Sequence, residues 1–309
     1  MSTNAPRLAT DDPVLFAFAE EVGSDGAIAV AGGRTRWSQG GALAEGTRVV
    51  EAPRGVVEYK PAEMTVCVRA GTPVAELEAA LGEAGQRSAL PNRGGTVGGA
   101  IAVGENHVDR LGRGAIRDSV LQVRYVSAEG RLVASGGPVV KNVSGFNLPR
   151  LLTGSLGTFG LFAELILRTN PRPEVSRWLR GQGVDPAATF DGLLRAAAVL
   201  WDGESTWVHL EGHGVDVDEQ SRALDRIGQF EPVEEPPPLP PESWSMSPAQ
   251  AARVDREKTG DFVASIGVGR VWAQKPQPLA APDPVVRGLC ERAKAIFDPT
   301  GRLNPGRQP

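Results

Sequence analysis

Cysteine is scarce: the 309 residues include only Cys67 and Cys290, with two tyrosines and three methionines beside them. Two thiols cannot supply the four ligands of an iron–sulfur cluster, so any such cluster must belong to another chain. They also exclude a disulfide framework, and their places in a strand-like and a helix-like run read as buried, reduced thiols. No run approaches the ~18 apolar residues of a membrane span, and the opening MSTNAPRLATDD lacks the apolar core of a signal peptide. The expected location is cytoplasmic. There is no basic excess either, since 33 basic and 37 acidic residues give a net charge of −4. Nucleic acid and anionic membranes are therefore not the expected partners. A GxxxxGK[ST] phosphate loop is missing, which removes that route to nucleotide binding.

What the chain has instead is glycine, 38 residues of it. Pro91–Asp118 holds Gly94, Gly95, Gly98, Gly99, Gly104, Gly112 and Gly114. Each glycine inside a regular element costs about 0.5–1 kcal/mol relative to alanine, and in exchange the backbone can approach a ligand closely. A long surface loop and a flat ligand-binding surface both satisfy this composition. On the second reading, Gly98→Val abolishes ligand binding while the apo fold survives. The apolar run Ala27–Ala31 ends in Gly32-Gly33-Arg34-Thr35-Arg36-Trp37, where successive amides could form an anion-binding nest or a plain turn. Gly154, Gly157 and Gly160 precede the strand-like Leu161–Arg168, the reverse of a dinucleotide fingerprint.

The remaining segments suggest two domains, on a prior of ~150 residues each. Asp12-Pro13 starts a helix with Val14, Leu15, Phe18, Ala19 and Val22 in helical spacing, and Gly23 stops it. Val49–Glu51, Val56–Tyr59 and Thr65–Arg69 read as strands in βαβ-like alternation with a helix capped by Thr72-Pro73. Val120–Ser127 and Arg131–Ala134 read as a hairpin. From Pro171 a second domain is expected: a helical segment around Phe190–Leu200, a strand at Thr206–Glu211, a proline-rich linker at 229–242 dividing the domain, and a strand at Phe262–Val268. Asp283-Pro284 caps a last helix whose Val285 or Val286, Leu289, Cys290, Ala293, Ile296 and Phe297 form an apolar face, so Leu289→Asp should destabilise it.

Six segments in one order carry a resemblance: Ala29–Ser38, Val68–Leu81, Pro91–Ala102, Arg113–Asp118, Val139–Leu165 and Phe297–Arg307. Together they resemble the vanillyl-alcohol-oxidase, or PCMH-type, FAD-binding family and, within it, the FAD-binding subunits of glycolate oxidases. The resemblance implies an α+β fold: a two-lobed FAD domain over 1–170 (lobes near 1–70 and 71–170), a smaller α+β substrate or cap domain over 171–270, and a segment 271–309 returning to the FAD site. It implies that the amides of Gly33, Arg34, Thr35, Arg36 and Trp37 hold the FAD diphosphate. Pro91, Thr96, Gly98 and Gly99 would lie against the cofactor, Arg113, Gly114 and Asp118 nearby, Leu161 and Phe162 at the adenine, and Asn304 would close the site. Relatives that bond the flavin covalently use a histidine or cysteine missing from those places here, so noncovalent FAD is expected.

The chemistry so implied is hydride transfer to FAD from a 2-hydroxy acid such as glycolate, in a complex with a larger flavoprotein subunit and an iron–sulfur subunit. His209, Arg270 and Lys275 are the candidate catalytic residues, with His213 as a further histidine of the second domain. His209-x-Glu211-x-His213 could converge on one strand face, but Gly212 and Gly214 end the strand, and no metal is expected. The relatives' HxGDGNxH-like metal motif is missing and the second domain is short. A flavin-holding assembly or electron-relay subunit is therefore the alternative, and a sugar or aldonolactone oxidase on the same fold another.

Overall fold

The computed structural model describes residues 12–91, 93–137, 147–278 and 283–307. Asn92 and the 139–146 part of the Val139–Leu165 segment lie outside them. The chain forms two compact units: residues 1–107, 115–171 and 282–309 make the first, and 108–114 with 172–281 the second.

In the first unit, helix Pro13–Val22 starts where Asp12 accepts hydrogen bonds from the amides of Val14 and Leu15, and it buries Leu15, Phe18, Ala19 and Val22. Burial alone would raise the Asp12 pKa, but the ion pair with Arg69 and the two cap amides hold it below the ordinary value. Strand Ile28–Ala31 pairs in parallel with Arg48–Glu51. The main sheet is antiparallel, in the order Val56–Lys60, Thr65–Arg69, Leu161–Arg168, Val120–Val126, Leu132–Gly136. The βαβ-like alternation is thus limited to one short parallel pair. Helices Val74–Gly82 and Val97–Val103 bury Val74, Leu77, Leu81, Val97 and Ile101 in the same core as that sheet. Thr72 is not the cap expected of it: its hydroxyl is engaged by the backbone of Gly55.

The C-terminal tail is bound to this unit by side chains aimed at backbone. Arg302 donates to the carbonyls of Val22, Gly23, Asp25, Gly26 and Ala128, and Asp298 accepts from the amides of Arg302 and Leu303. Helix Pro284–Phe297 packs through Phe297, stacked on Phe159 with centroids 5.5 Å apart, and Ala293. Its expected apolar face is a correction: Val285, Val286, Leu289 and Ile296 are 53–75% exposed, and Cys290 is exposed too.

The second unit is a seven-stranded sheet, in the order Glu231–Val233, Val175–Gln182, Ser205–Gly212, Ala196–Trp201, Phe262–Ser265, Arg270–Ala273, Glu242–Ser245. Helix around Phe190–Leu200 is a second correction, because the helix is confined to Pro186–Asp191 and Ala196–Trp201 is a central strand. An unbroken apolar run in a doubly covered strand has no alternation to tell it from a helix. The proline-rich stretch does not divide this unit. It leaves one edge strand and reaches the opposite edge strand of the same sheet, and Pro232 is tolerated because its strand is an edge. Among the described residues no helix is long and apolar enough to cross a membrane.

Candidate functional site

The cleft of the first unit, about 730 Å³ including its open mouth, is assembled chiefly from four chain segments, to which Ala52 and Ala70 add single wall residues. The turn after Ile28–Ala31 contributes Gly32 through Trp37, with Arg34 at φ 53°. The second segment is the glycine loop with the start of helix Val97–Val103, where Thr96 accepts from the Gly99 amide at 3.3 Å. Leu156, Gly157, Leu161 and Phe162 form the third segment, Asn304 and Arg307 of the tail the fourth.

These segments meet without side chains between them. A Cβ on Gly33 would stand 2.9 Å from the Gly95 Cα, and one on Gly98 would stand 2.8 Å from the Ala70 Cβ and 2.9 Å from the Ala70 carbonyl oxygen. These glycines are dictated by protein packing before any ligand is considered. Survival of the apo fold in Gly98→Val is therefore not expected from the structure. Gly99 differs: its nearest obstacle is the Thr96 hydroxyl at 3.1 Å, and it lines the cleft.

The charged side chains that line the cleft, Arg34, Arg36 and Arg307, are all cationic. Arg36 donates to the Gly94 carbonyl at 3.0 Å and pairs with buried Glu105, yet its buried Nη2 has no partner. Arg307 lies over the Trp37 ring at 4.4 Å, donates to the Trp37 carbonyl at 2.9 Å, and leaves its Nε without a partner. Burial lowers the Arg307 pKa, as expected of a cation short of solvent. Arg34 stands over the same ring at 5.2 Å. Val30, Ala52, Ala70, Val103, Leu161 and Phe162 supply apolar walls. Unmet guanidinium donors beside apolar walls suit a ligand that joins an anionic group to flat rings, which a dinucleotide such as FAD does.

Of the residues expected at the cofactor, Gly33, Arg34, Thr35, Arg36, Trp37, Thr96, Gly98, Gly99, Leu161, Phe162 and Asn304 line this cleft. Asn304 is held at φ 46° by its amide on the Ile28 carbonyl and its Nδ2 on the Gly157 carbonyl. Pro91 is buried but not in the lining, and Asp118 pairs with Arg150 at the surface at 2.8 Å. Arg113 and Gly114 fold with the second unit, where Arg113 pairs with Asp109 at 3.3 Å. Sequence reasoning missed Arg307 and Glu105. Arg307 ends the segment Phe297–Arg307, so its position was visible; the pairing of Glu105 with Arg36 spans 69 residues and was not.

In the second unit the candidate catalytic residues separate. His209 and Arg270 lie on one sheet face, as the registers His209↔Ala198, Trp207↔Leu200, Leu200↔Ser265 and Ser265↔Arg270 require. Arg270 donates to the Ser243 hydroxyl at 2.9 Å, and Lys275 is exposed, bonded to the Glu257 carbonyl. His209 is buried, with Nδ1 2.8 Å from Asp109 Oδ1 and Nε2 2.8 Å from Ser176 Oγ, its ring stacked on Trp178 at 4.4 Å. His213 is exposed beside Glu174 and takes no part.

Residues 17–136 match the family described as an FAD binding domain. Over 173 residues the chain is 35% identical to glycolate oxidase subunit GlcE of Escherichia coli, covering 53% of this chain and 49% of that one. It is 31% identical over 199 residues to a D-2-hydroxyglutarate dehydrogenase of Xanthomonas citri, covering 61% and 42%. The chain thus spans half or less of these relatives. Among solved structures, an alkyldihydroxyacetonephosphate synthase aligns with 94% of this chain and 73% of its own, at a TM-score of 0.67 and 14% identity, a likeness of fold alone. Residues 17–136 are accordingly an FAD-binding domain, FAD is the cofactor that domain takes, and over about half its length the chain is similar to glycolate oxidase subunit GlcE.

Proposed function

We propose that the chain is an FAD-dependent oxidoreductase subunit that oxidises a 2-hydroxy acid such as glycolate in the cytoplasm, in a complex with a larger flavoprotein subunit and an iron–sulfur subunit. The observation that carries this reading is the coincidence of the cleft with the segments that resemble flavoproteins, in a chain 35% identical to GlcE over 173 residues. The amides of residues 33–37, with Arg36 and Arg307, would hold the diphosphate. Gly98, Gly99 and Thr96 would leave room for the ring system, and Leu161, Phe162 and Asn304 would close the other end. The bound FAD supplies an acceptor for the hydride. Binding is noncovalent in this reading, so acid precipitation should release all of the flavin.

One observation favours a second reading. Both ring nitrogens of His209 are engaged by Asp109 and Ser176, and Arg270 is bonded to Ser243, so neither is presented as a free base or carboxylate ligand. The chain would then hold flavin for assembly or electron relay while another chain oxidises the substrate. The test is anaerobic addition of glycolate or D-lactate to the purified, FAD-loaded chain. Bleaching of the flavin bands without a partner supports catalysis by this chain. Bleaching that appears only when the partner subunits are added supports the second reading. A chain that binds no FAD refutes both.

A further inference from the structure

Asp109, His209 and Glu211 bring one nitrogen and two carboxylate groups together, their ligand atoms all within 4.8 Å of one another. Asp109 and His209 are buried and Glu211 is half-buried, and all three belong to the second unit. The grouping is not the histidine-x-glutamate-x-histidine pattern of the sequence. The strand carries His209 and Glu211 on one face and ends at Gly212, and the third donor comes from a segment a hundred residues earlier.

We propose that Asp109, His209 and Glu211 form a binding site for a divalent transition cation, zinc by its donor set. One imidazole nitrogen with two carboxylates is a donor set that zinc accepts, and imidazole disfavours magnesium and calcium. The Nδ1–Oδ1 separation of 2.8 Å is now a hydrogen bond and must open to about 3.3 Å around a tetrahedral ion with bonds near 2.0–2.1 Å. The imidazole is already supported as a metal-bound histidine would be. Ser176 Oγ lies 2.8 Å from Nε2 and can accept its N–H, while Trp178 stacks at 6° to fix the ring plane.

Metal uptake leaves Nδ1 bare and places the remaining imidazole proton on Nε2, facing Ser176. Two carboxylates stand beside the imidazole, and Arg113 lies 3.3 Å from Asp109. Gly112 keeps the space open, because a Cβ there would stand 2.7 Å from Glu211 Oε1. Three protein donors leave one position for water or an anionic oxygen. The site is built from residues outside the flavin cleft, so it stands or falls independently of the proposed activity.

The test is titration of the full-length, FAD-loaded chain with zinc chloride by calorimetry, with metal analysis after gel filtration. One zinc per chain is expected. Glu211→Gln, a half-buried and nearly isosteric change, should weaken binding by at least about tenfold, and Ser176→Ala by about 10–100-fold, the range for a supporting residue of a metal ligand. His213→Ala, which removes an exposed histidine outside the cluster, should leave affinity and stoichiometry unchanged. No zinc retained, or Glu211→Gln binding as the unsubstituted chain does, overturns the site. Loss of binding in His213→Ala instead would assign the metal to the surface pair with Glu174. His209→Gln is informative where it retains flavin and melting temperature, and Glu211→Gln decides if it does not.

Discussion

The cleft of the first unit and the polar cluster of the second are built from opposite materials. Around the cleft, the determining residues are glycines whose missing side chains let four segments touch, and they sit in short runs such as Gly32-Gly33 and Gly98-Gly99. In the second unit the determining groups are single side chains, Ser176, His209 and Asp109, joined by two 2.8 Å contacts across 33 and 100 residues. Backbone sites leave local motifs in a sequence, whereas side-chain sites depend on which distant segments the fold brings together.

The comparison can be broken most forcefully at the glycines. Gly98→Val meets the backbone of Ala70, which cannot move without the sheet, and should cost about 3 kcal/mol or more and yield little yellow protein. Thermal unfolding and flavin content of the soluble fraction check it; a stable but colourless product would restore the view that Gly98 serves only the ligand. Gly112→Val in the second unit presses on Glu211 and Ala197, and the carboxylate is the flexible end of a side chain. It should cost about 1–3 kcal/mol while flavin content stays full, and loss of flavin would show that the cleft depends on the second unit.

How much could be read in advance follows the same division. Eleven of the residues that the resemblance implied at the cofactor line the cleft; they stand in short contiguous segments, most of them marked by glycine, which is what a resemblance between sequences can carry. Arg113, Gly114 and Asp118 were placed near the cofactor by the same resemblance, whereas the fold sends 108–114 to the second unit and pairs Asp118 with Arg150 at the surface. The seven-stranded sheet was legible only in pieces. Ala196–Trp201 lacks alternation, and a proline-rich stretch gives no hint that it runs between two edge strands.

Arg307 tests the electrostatic side of the cleft with a smaller effect. Arg307→Ala removes a guanidinium with an unmet Nε beside Trp37, away from the buried core. A charge-assisted hydrogen bond of about 1.5–3 kcal/mol corresponds to roughly 10–100-fold weaker FAD binding, measurable by flavin fluorescence. Unchanged affinity would assign Arg307 to tail docking alone.

The two thiols carry a contrast of reactivity. Burial, then the neighbouring Glu164 carboxylate, push Cys67 up to about 12, so almost none of it is thiolate at pH 8. Cys290 is exposed. A thiol reagent should therefore modify one cysteine per native chain, and peptide mapping should find it at Cys290; labelling at Cys67 would mean that the first sheet opens around strand Thr65–Arg69 in solution.

The smallest effect belongs to Leu289→Asp, and here structure and sequence pattern give opposite predictions. Helical spacing alone places Leu289 on an apolar face, where a new carboxylate without a partner would be destabilising. The fold holds helix Pro284–Phe297 by Ala293, Phe297 and Lys294, whose ammonium donates to the carbonyls of Thr158 and Leu303, and leaves Leu289 53% exposed. An aspartate there remains hydrated, so the melting temperature should shift by no more than an equivalent of about 0.5 kcal/mol. A larger loss, measured by thermal unfolding of the isolated chain, would mean that this face is covered, and would move the helix from the surface to an interface.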